Sequence, residues 1–289
     1  MKYKKVFIVG SGRCGTHWVL NLFLNHPLVV GTLSESKAYM VFGAILHKKQ
    51  NFEHFLRKIS GRYWRSIIKY YESFPEGTRL QEYVTHAELS GYIREIKSTD
   101  ISLENKAQQL IEKIFNNYYY KNGGDSNKLF VEKTPQHIYY VDKILDYYPE
   151  AKIIEIVRDG RDVCVSYQKL IEKGITWPPE NRKEQVLLWK RAIRKGMELR
   201  SEKKYSPKIL FVKYEDLLQN KAQNIRRMFD FAGLKYTEED ILRIVNSDKI
   251  INSSYKGNIN GWKDVFTKQD ICIFKKYANQ ELIESGYSW

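Results

Sequence analysis

The sequence predicts an α/β fold: a central parallel sheet flanked by helices, with a mostly helical insertion over residues 40–120. Two observations predict it. Four short, β-rich apolar runs stand between turn or polar residues: Val6–Val9, Leu129–Val131, Lys152–Val157 and Ile209–Val212. Each is followed by apolar residues at helical spacing. Strands that alternate with helices pack as a parallel sheet covered on both faces.

In chain order, Leu20, Phe23 and Leu24 space a helix after the first run. Residues 40–120 read as helices inserted into one domain spanning 1–289. Gly123-Gly124 marks a loop at Lys121–Lys128. Ile138, Val141, Ile144 and Leu145 follow the second run, and Val163, Tyr167 and Leu170 the third. Pro178-Pro179 marks a loop over Gly174–Lys183. Ile225, Met228, Phe229 and Ala232 follow the fourth run, and a further loop is expected at Asn252–Gly261. No internal repeat or low-complexity tract interrupts this order.

The composition bounds the function. With 43% hydrophobic and 14% aromatic residues over 289 positions, the chain can bury a substantial core and is too apolar for disorder. No stretch approaches the roughly 20 apolar residues of a membrane span, and Val6–Val9 is far too short for a signal-peptide core. Three cysteines cannot form a disulfide framework. The 48 Lys+Arg against 34 Asp+Glu leave a net charge of +14, so the partner is expected to be anionic: nucleic acid, a membrane surface, or a small molecule bearing phosphate or sulfate. About half of that surplus lies in residues 37–69, where eight basic residues face Glu53 alone. Tyr39, Phe42, Phe55, Tyr63 and Trp64 are interleaved there. The stretch reads either as a solvated helix face or as a basic wall beside an anionic acceptor.

In such sheets ligands collect beyond the carboxyl ends of the strands. Those ends carry Gly10 through Thr16, Glu132-Lys133-Thr134, Arg158-Asp159 and Lys213-Tyr214. The first is a strand, a glycine loop and a helix, which together hold phosphate through converging backbone N–H groups and a helix N-terminus. Gly10 and Gly15 have the spacing of a P-loop, but Thr16-His17 stand where Lys-[Ser/Thr] would reach phosphate and Mg²⁺. Arg13, inside the loop, supplies positive charge instead.

The run Gly12-Arg13-Cys14-Gly15-Thr16-His17-Trp18 resembles the 5′-phosphosulfate loop of the sulfotransferases that use 3′-phosphoadenosine-5′-phosphosulfate (PAPS), where Lys or Arg precedes Ser-Gly-Thr-Thr. Arg13, Gly15 and Thr16 match, Cys14 replaces the frequent Ser, and His17 replaces the second Thr, whose hydroxyl an imidazole N–H can replace. Arg158 and Ser166, eight residues apart, resemble the family's 3′-phosphate site. Tyr255 through Thr267 is similar to the segment that closes over that phosphate, with Lys256 and Gly257 matching and Tyr255 standing in place of an Arg. The resemblance runs from the first strand to about Thr267 and does not inform residues 40–120. It implies a P-loop-like fold and a donor site of Gly10, Ser11, Gly12, Arg13, Cys14, Gly15, Thr16, His17, Trp18, Arg158, Ser166, Tyr214, Lys256 and Gly257, holding PAPS and releasing PAP with no metal. Tyr214 and Trp18 have an equally plain reading as core aromatics.

The activity implied is in-line transfer of a sulfuryl group. Charge develops on the leaving oxygen, so cations must be preorganised there. Lys133 resembles the family's catalytic lysine, and Arg13 and Thr16 are expected on the 5′-phosphosulfate. A general base must take the acceptor's proton. Two residues answer: Glu35, preferred because a glutamate near this position serves in carbohydrate- and tyrosine-modifying relatives, and His137, four residues after Lys133 where cytosolic members have a histidine two after. The alternatives are a P-loop nucleotide or metabolite kinase and a basic nucleic-acid or membrane-surface binder. The first lacks its lysine at Thr16, and the second gives no reason for three ordered phosphate motifs. The expected partner is a small-molecule or glycan acceptor, anionic if the basic block at 37–69 faces it, with a sugar hydroxyl preferred. No nucleic acid is expected, peripheral membrane contact stays open, and the expected location is a bacterial-type cytoplasm.

Overall fold

The computed structural model describes residues 3–41, 80–247 and 259–289. Among the described residues, five strands form one fully parallel sheet. They are β1 (Lys4–Gly10), β2 (Val29–Val30), β3 (Leu129–Lys133), β4 (Lys152–Val157) and β5 (Ile209–Lys213), in the spatial order β2-β3-β1-β4-β5. The four expected strands are present within a residue or two of their expected ends. The fifth, β2, was not expected; it is a two-residue edge strand, too short to show a period.

The alternation of β1 explains why it reads as an unbroken apolar run. Phe7 and Val9 pack in one core cluster and Val6 and Ile8 in the other, on opposite faces of the sheet. The Val6/Ile8 face is covered by α1 (Thr16–Leu24) and, later in the chain, by the helix at Lys221–Ala232. The Phe7/Val9 face receives Ala38 and Tyr39 of α2 (Ala38–Val41), then α3 (Leu80–Tyr83), α4 (His86–Lys97) and α5 (Leu103–Lys121). The described part of the expected insertion is therefore helical and lies on the sheet. Tyr39, one of the aromatics interleaved with the basic block, is fully buried and donates to Gln108. The other aromatics of that set, with most of the 37–69 block, lie outside the described residues.

A 3-10 turn (Pro135–Tyr140) follows β3 and leads into α6 (Val141–Tyr147). After β4 come α7 (Gly160–Glu172) and α8 (Arg182–Ser201). The expected loop to Lys183 ends earlier, because the Asn181 side chain caps the helix by accepting from the Lys183 N–H. After β5 the chain makes α9 (Tyr214–Gln219), α10 (Lys221–Ala232) and α11 (Glu238–Ser247). A 3-10 turn at Gly261–Asp264 and α12 (Lys268–Glu284) follow, and α7, α8 and α12 share a third apolar cluster. Among the described residues no helix is long and apolar enough to cross a membrane.

From β1 the chain goes first to β2 and β3 on one side, then to β4 and β5 on the other. The carboxyl end of β1 is thus a topological switch point, where open α/β sheets place ligands. The register sets Ile8 beside Lys133 and Gly10 beside Ile156, so the ends of β3 and β4 flank the glycine loop.

Candidate functional site

The loop between β1 and α1 turns through Arg13 at φ 65° and Gly15 at φ 101°. Gly15 is the residue before α1, and no side chain caps the helix there, so its first N–H groups face the loop. A Cβ on Gly15 would lie 2.5 Å from the Tyr214 ring. Glycine is required there twice over, by backbone angle and by space.

The loop is braced from α7 and the strand ends. Arg13 Nε donates to Ser166 Oγ at 3.0 Å. Arg158 lies with its guanidinium 4.4 Å from the Tyr214 ring centre, and its Nη1 reaches the Arg13 carbonyl at 3.5 Å. The sequence assigned Arg13 to one phosphate subsite and Arg158 with Ser166 to another; here all three are directly linked. Trp18 sets its edge on Tyr214 at 5.4 Å, but it is almost wholly buried and is part of the core. Cys14 turns its side chain into the same core, where burial pushes the thiol up to about 12, so what it can offer a ligand is backbone.

The charge of this edge is concentrated. Burial, reinforced by Arg158, pulls the Arg13 guanidinium below its usual value, against the opposing effect of Tyr167. Burial, with Lys133 and Arg13 nearby, lowers His17 to about 4, so it is neutral at pH 7. The Arg158 Nε is buried and has no hydrogen-bond partner among the described residues. Cations held together out of water are stabilised by an anion, and an uncapped helix start with an unsatisfied guanidinium N–H fits a phosphate-bearing group.

Beside the loop, Lys133 ends β3 at 1% exposure, and its Nζ donates to Glu35 Oε1 at 3.0 Å. Lys37 Nζ lies 3.8 Å from Glu35 Oε2. Burial and Lys133 pull Lys37 below the usual lysine value, while Glu35 opposes them. Sequence reading counted Lys37 only as part of the basic block; its place two residues from Glu35 was the available signal.

His137 is corrected. It is fully buried, with Nδ1 3.0 Å from Glu132 Oε2 and Nε2 accepting the Tyr39 N–H at 3.3 Å. Both ring nitrogens are engaged inside the protein, so neither faces an acceptor. Asp162 was also missed. It is buried and accepts the N–H groups of Asn260 and Trp262. Burial raises its carboxyl to about 6, against the pull of Arg158. Those two N–H groups anchor the chain just after residues 248–258, which lie outside the described residues together with Lys256 and Gly257.

A family model described as "Sulfotransferase family" matches residues 5–238. Among solved structures, the chain is similar to sulfotransferase STF1 from Mycobacterium tuberculosis H37Rv (12% identity over 96% of this chain and 77% of that one, TM-score 0.54). It is also similar to the sulfotransferase domain of the Synechococcus PCC 7002 olefin synthase (16% identity, 96% of both chains, TM-score 0.52). A third is mouse sulfotransferase SULT7A1 complexed with PAP (12% identity, 100% of this chain and 90% of that one, TM-score 0.52). No curated protein matches the sequence.

Proposed function

Because the chain belongs to the sulfotransferase family, we propose that it moves a sulfuryl group from PAPS to a carbohydrate hydroxyl, in line and without a metal ion. The observation that carries this reading is the Lys133–Glu35 contact of 3.0 Å at the end of β3, next to the glycine loop. An in-line transfer needs a cation at the leaving oxygen and a base at the attacking hydroxyl, and this pair holds one of each.

The acceptor oxygen forms a bond to sulfur as the bond from sulfur to the bridging oxygen breaks. The electron pair of the broken bond goes to the 5′-phosphate of PAP, and the acceptor's proton goes to Glu35. Lys133 stabilises the charge on the leaving oxygen. Arg13, Thr16 and the first N–H groups of α1 hold the 5′-phosphosulfate, and Arg158 with Ser166 holds the 3′-phosphate. Lys256 and Gly257 join them on the strength of the family motif alone. A sulfuryl group carries less charge than a γ-phosphoryl, so these side chains replace Mg²⁺. The basic and aromatic stretch at 37–69 supports a glycan acceptor. Family membership also answers the kinase and polynucleotide-binding alternatives.

Calorimetry with PAP and transfer of radiolabelled sulfate from PAPS to a panel of glycans, lipids and phenols test the two halves. PAP should bind and the label should appear on glycans. Failure to bind PAP would remove the donor assignment; label on phenols or lipids alone would remove the carbohydrate. Gly15→Ala should cost about 1–3 kcal/mol in thermal unfolding, from strain at positive φ. It should also weaken PAP binding by about tenfold or more, equivalent to about 1.4 kcal/mol, as the Tyr214 ring is pushed into the loop.

A further inference from the structure

Among the buried groups that neither the donor site nor the reacting pair uses are Glu132 and His137, both at 0% exposure. They stand on either side of Lys133 and Thr134 in sequence, yet their bonds run to a segment almost a hundred residues away. Glu132 Oε1 accepts from Ser36 N at 3.3 Å, Ser36 Oγ at 2.7 Å and Thr134 Oγ1 at 2.7 Å. Its Oε2 faces His137 Nδ1 at 3.0 Å. His137 Nε2 accepts the Tyr39 N–H, and Thr134 Oγ1 accepts the Lys37 N–H at 3.2 Å.

These bonds fix a tautomer. Nε2 accepts an amide proton, so the imidazole proton sits on Nδ1 and is donated to Glu132. Glu132 is then a buried carboxylate with four donors, the condition under which a buried charge is tolerated. The backbone N–H groups this network takes up, those of Ser36, Lys37 and Tyr39, lie within two residues of Lys37, whose side chain approaches that of Glu35 beside Lys133.

We propose that Glu132 and His137 are positioning residues for the transfer: an internal latch that sets the 35–37 segment against the end of β3 and so places Glu35 and Lys37 around the Lys133 ammonium. This rests on the sulfotransferase reading above. The latch is specific in its chemistry. In Glu132→Gln one of the two accepting oxygens becomes a donating NH2. Facing His137 it meets the Nδ1 proton; facing the other way it meets the Ser36 N–H. An uncharged side chain of the same size therefore leaves two donors opposed at one end of the segment or the other. Misplacing a reacting group by about 1 Å costs about 100-fold in rate.

Glu132→Gln, His137→Phe, His137→Gln and Ser36→Ala are compared with the unaltered protein for kcat and KM with PAPS, donor-only release of sulfate, PAP affinity and thermal unfolding. Glu132→Gln and His137→Phe should lose about 10- to 100-fold in kcat while PAP affinity stays within about threefold, since neither residue touches the donor loop. His137→Gln, which keeps one donor and one acceptor, should recover part of the loss. Ser36→Ala removes one hydroxyl, which donates to Glu132 and accepts the Ala38 N–H, and leaves the Glu132–His137 pair in place, so its smaller fall in kcat reads the latch even if the other variants unfold. Unchanged kcat in the folded variants, or a loss of PAP affinity equal to the loss in rate, would overturn the latch alone. An unaltered protein that neither binds PAP nor releases sulfate from PAPS would overturn the parent reading and the latch with it.

Discussion

Lys133→Ala should lower kcat by about 10²- to 10³-fold, the cost of removing one preorganised group that stabilises developing negative charge. The geometry makes the loss local. The lysine sits at the end of a strand buried along its whole length, so the change truncates a side chain without disturbing the sheet pairing of Ile8 with Lys133. PAP affinity should fall by a smaller factor, because a cation is removed from the edge where Arg13 and Arg158 remain. Lys133→Arg should not rescue the rate. At 1% exposure the planar guanidinium has no room to adopt the lysine's place, and its fork does not reproduce a compact ammonium. The check is a single-turnover measurement with PAPS alongside PAP calorimetry. Near-normal turnover in Lys133→Ala would show that the leaving group is stabilised elsewhere.

The parts of this arrangement that could be read from the sequence share a physical reason. β1, β3 and β4 are covered on both faces, so their apolar runs are broken only at Glu155 of β4, which Arg200 pairs, and a glycine, a lysine and an arginine stand at or just past the ends of those strands. The motif residues Arg13, Arg158, Ser166 and Tyr214 come together because three strand ends share one edge. What escaped reading is tertiary. The bonds from Glu132 to Ser36 and from His137 to Tyr39 join segments 96 and 98 residues apart, and no local period marks them. His137 was therefore weighed as a base, since a histidine near a catalytic lysine carries no sign of which way its ring faces. The side chains of Cys14 and Trp18 complete the core, which for Trp18 was the plain reading of an apolar residue at the start of a helix. β2 escaped because two residues cannot display alternation, and Asp162 because its partners lie about a hundred residues downstream.

Glu35→Gln should be the complement of Lys133→Ala in one variable and its opposite in another. The substitution keeps shape and one acceptor oxygen but removes the carboxylate's charge and its ability to take a proton. If Glu35 is the general base, kcat should fall by about 10²- to 10⁴-fold. PAP affinity should stay the same or rise, because a negative charge 3.0 Å from the Lys133 ammonium and 3.8 Å from that of Lys37 is removed next to an anionic ligand. Lys133→Ala weakens the donor and slows the reaction; Glu35→Gln slows the reaction without weakening the donor. The sign of the affinity change thus separates the two roles even where the rates fall alike. A third comparison separates base from latch. The Glu35 side chain is 16% exposed, so in Glu35→Ala a small carboxylate such as formate can reach the space left and restore part of the rate. His137→Phe is sealed at 0% exposure and should not respond. Formate rescue of neither variant, with turnover retained in Glu35→Gln, would move the base to another residue.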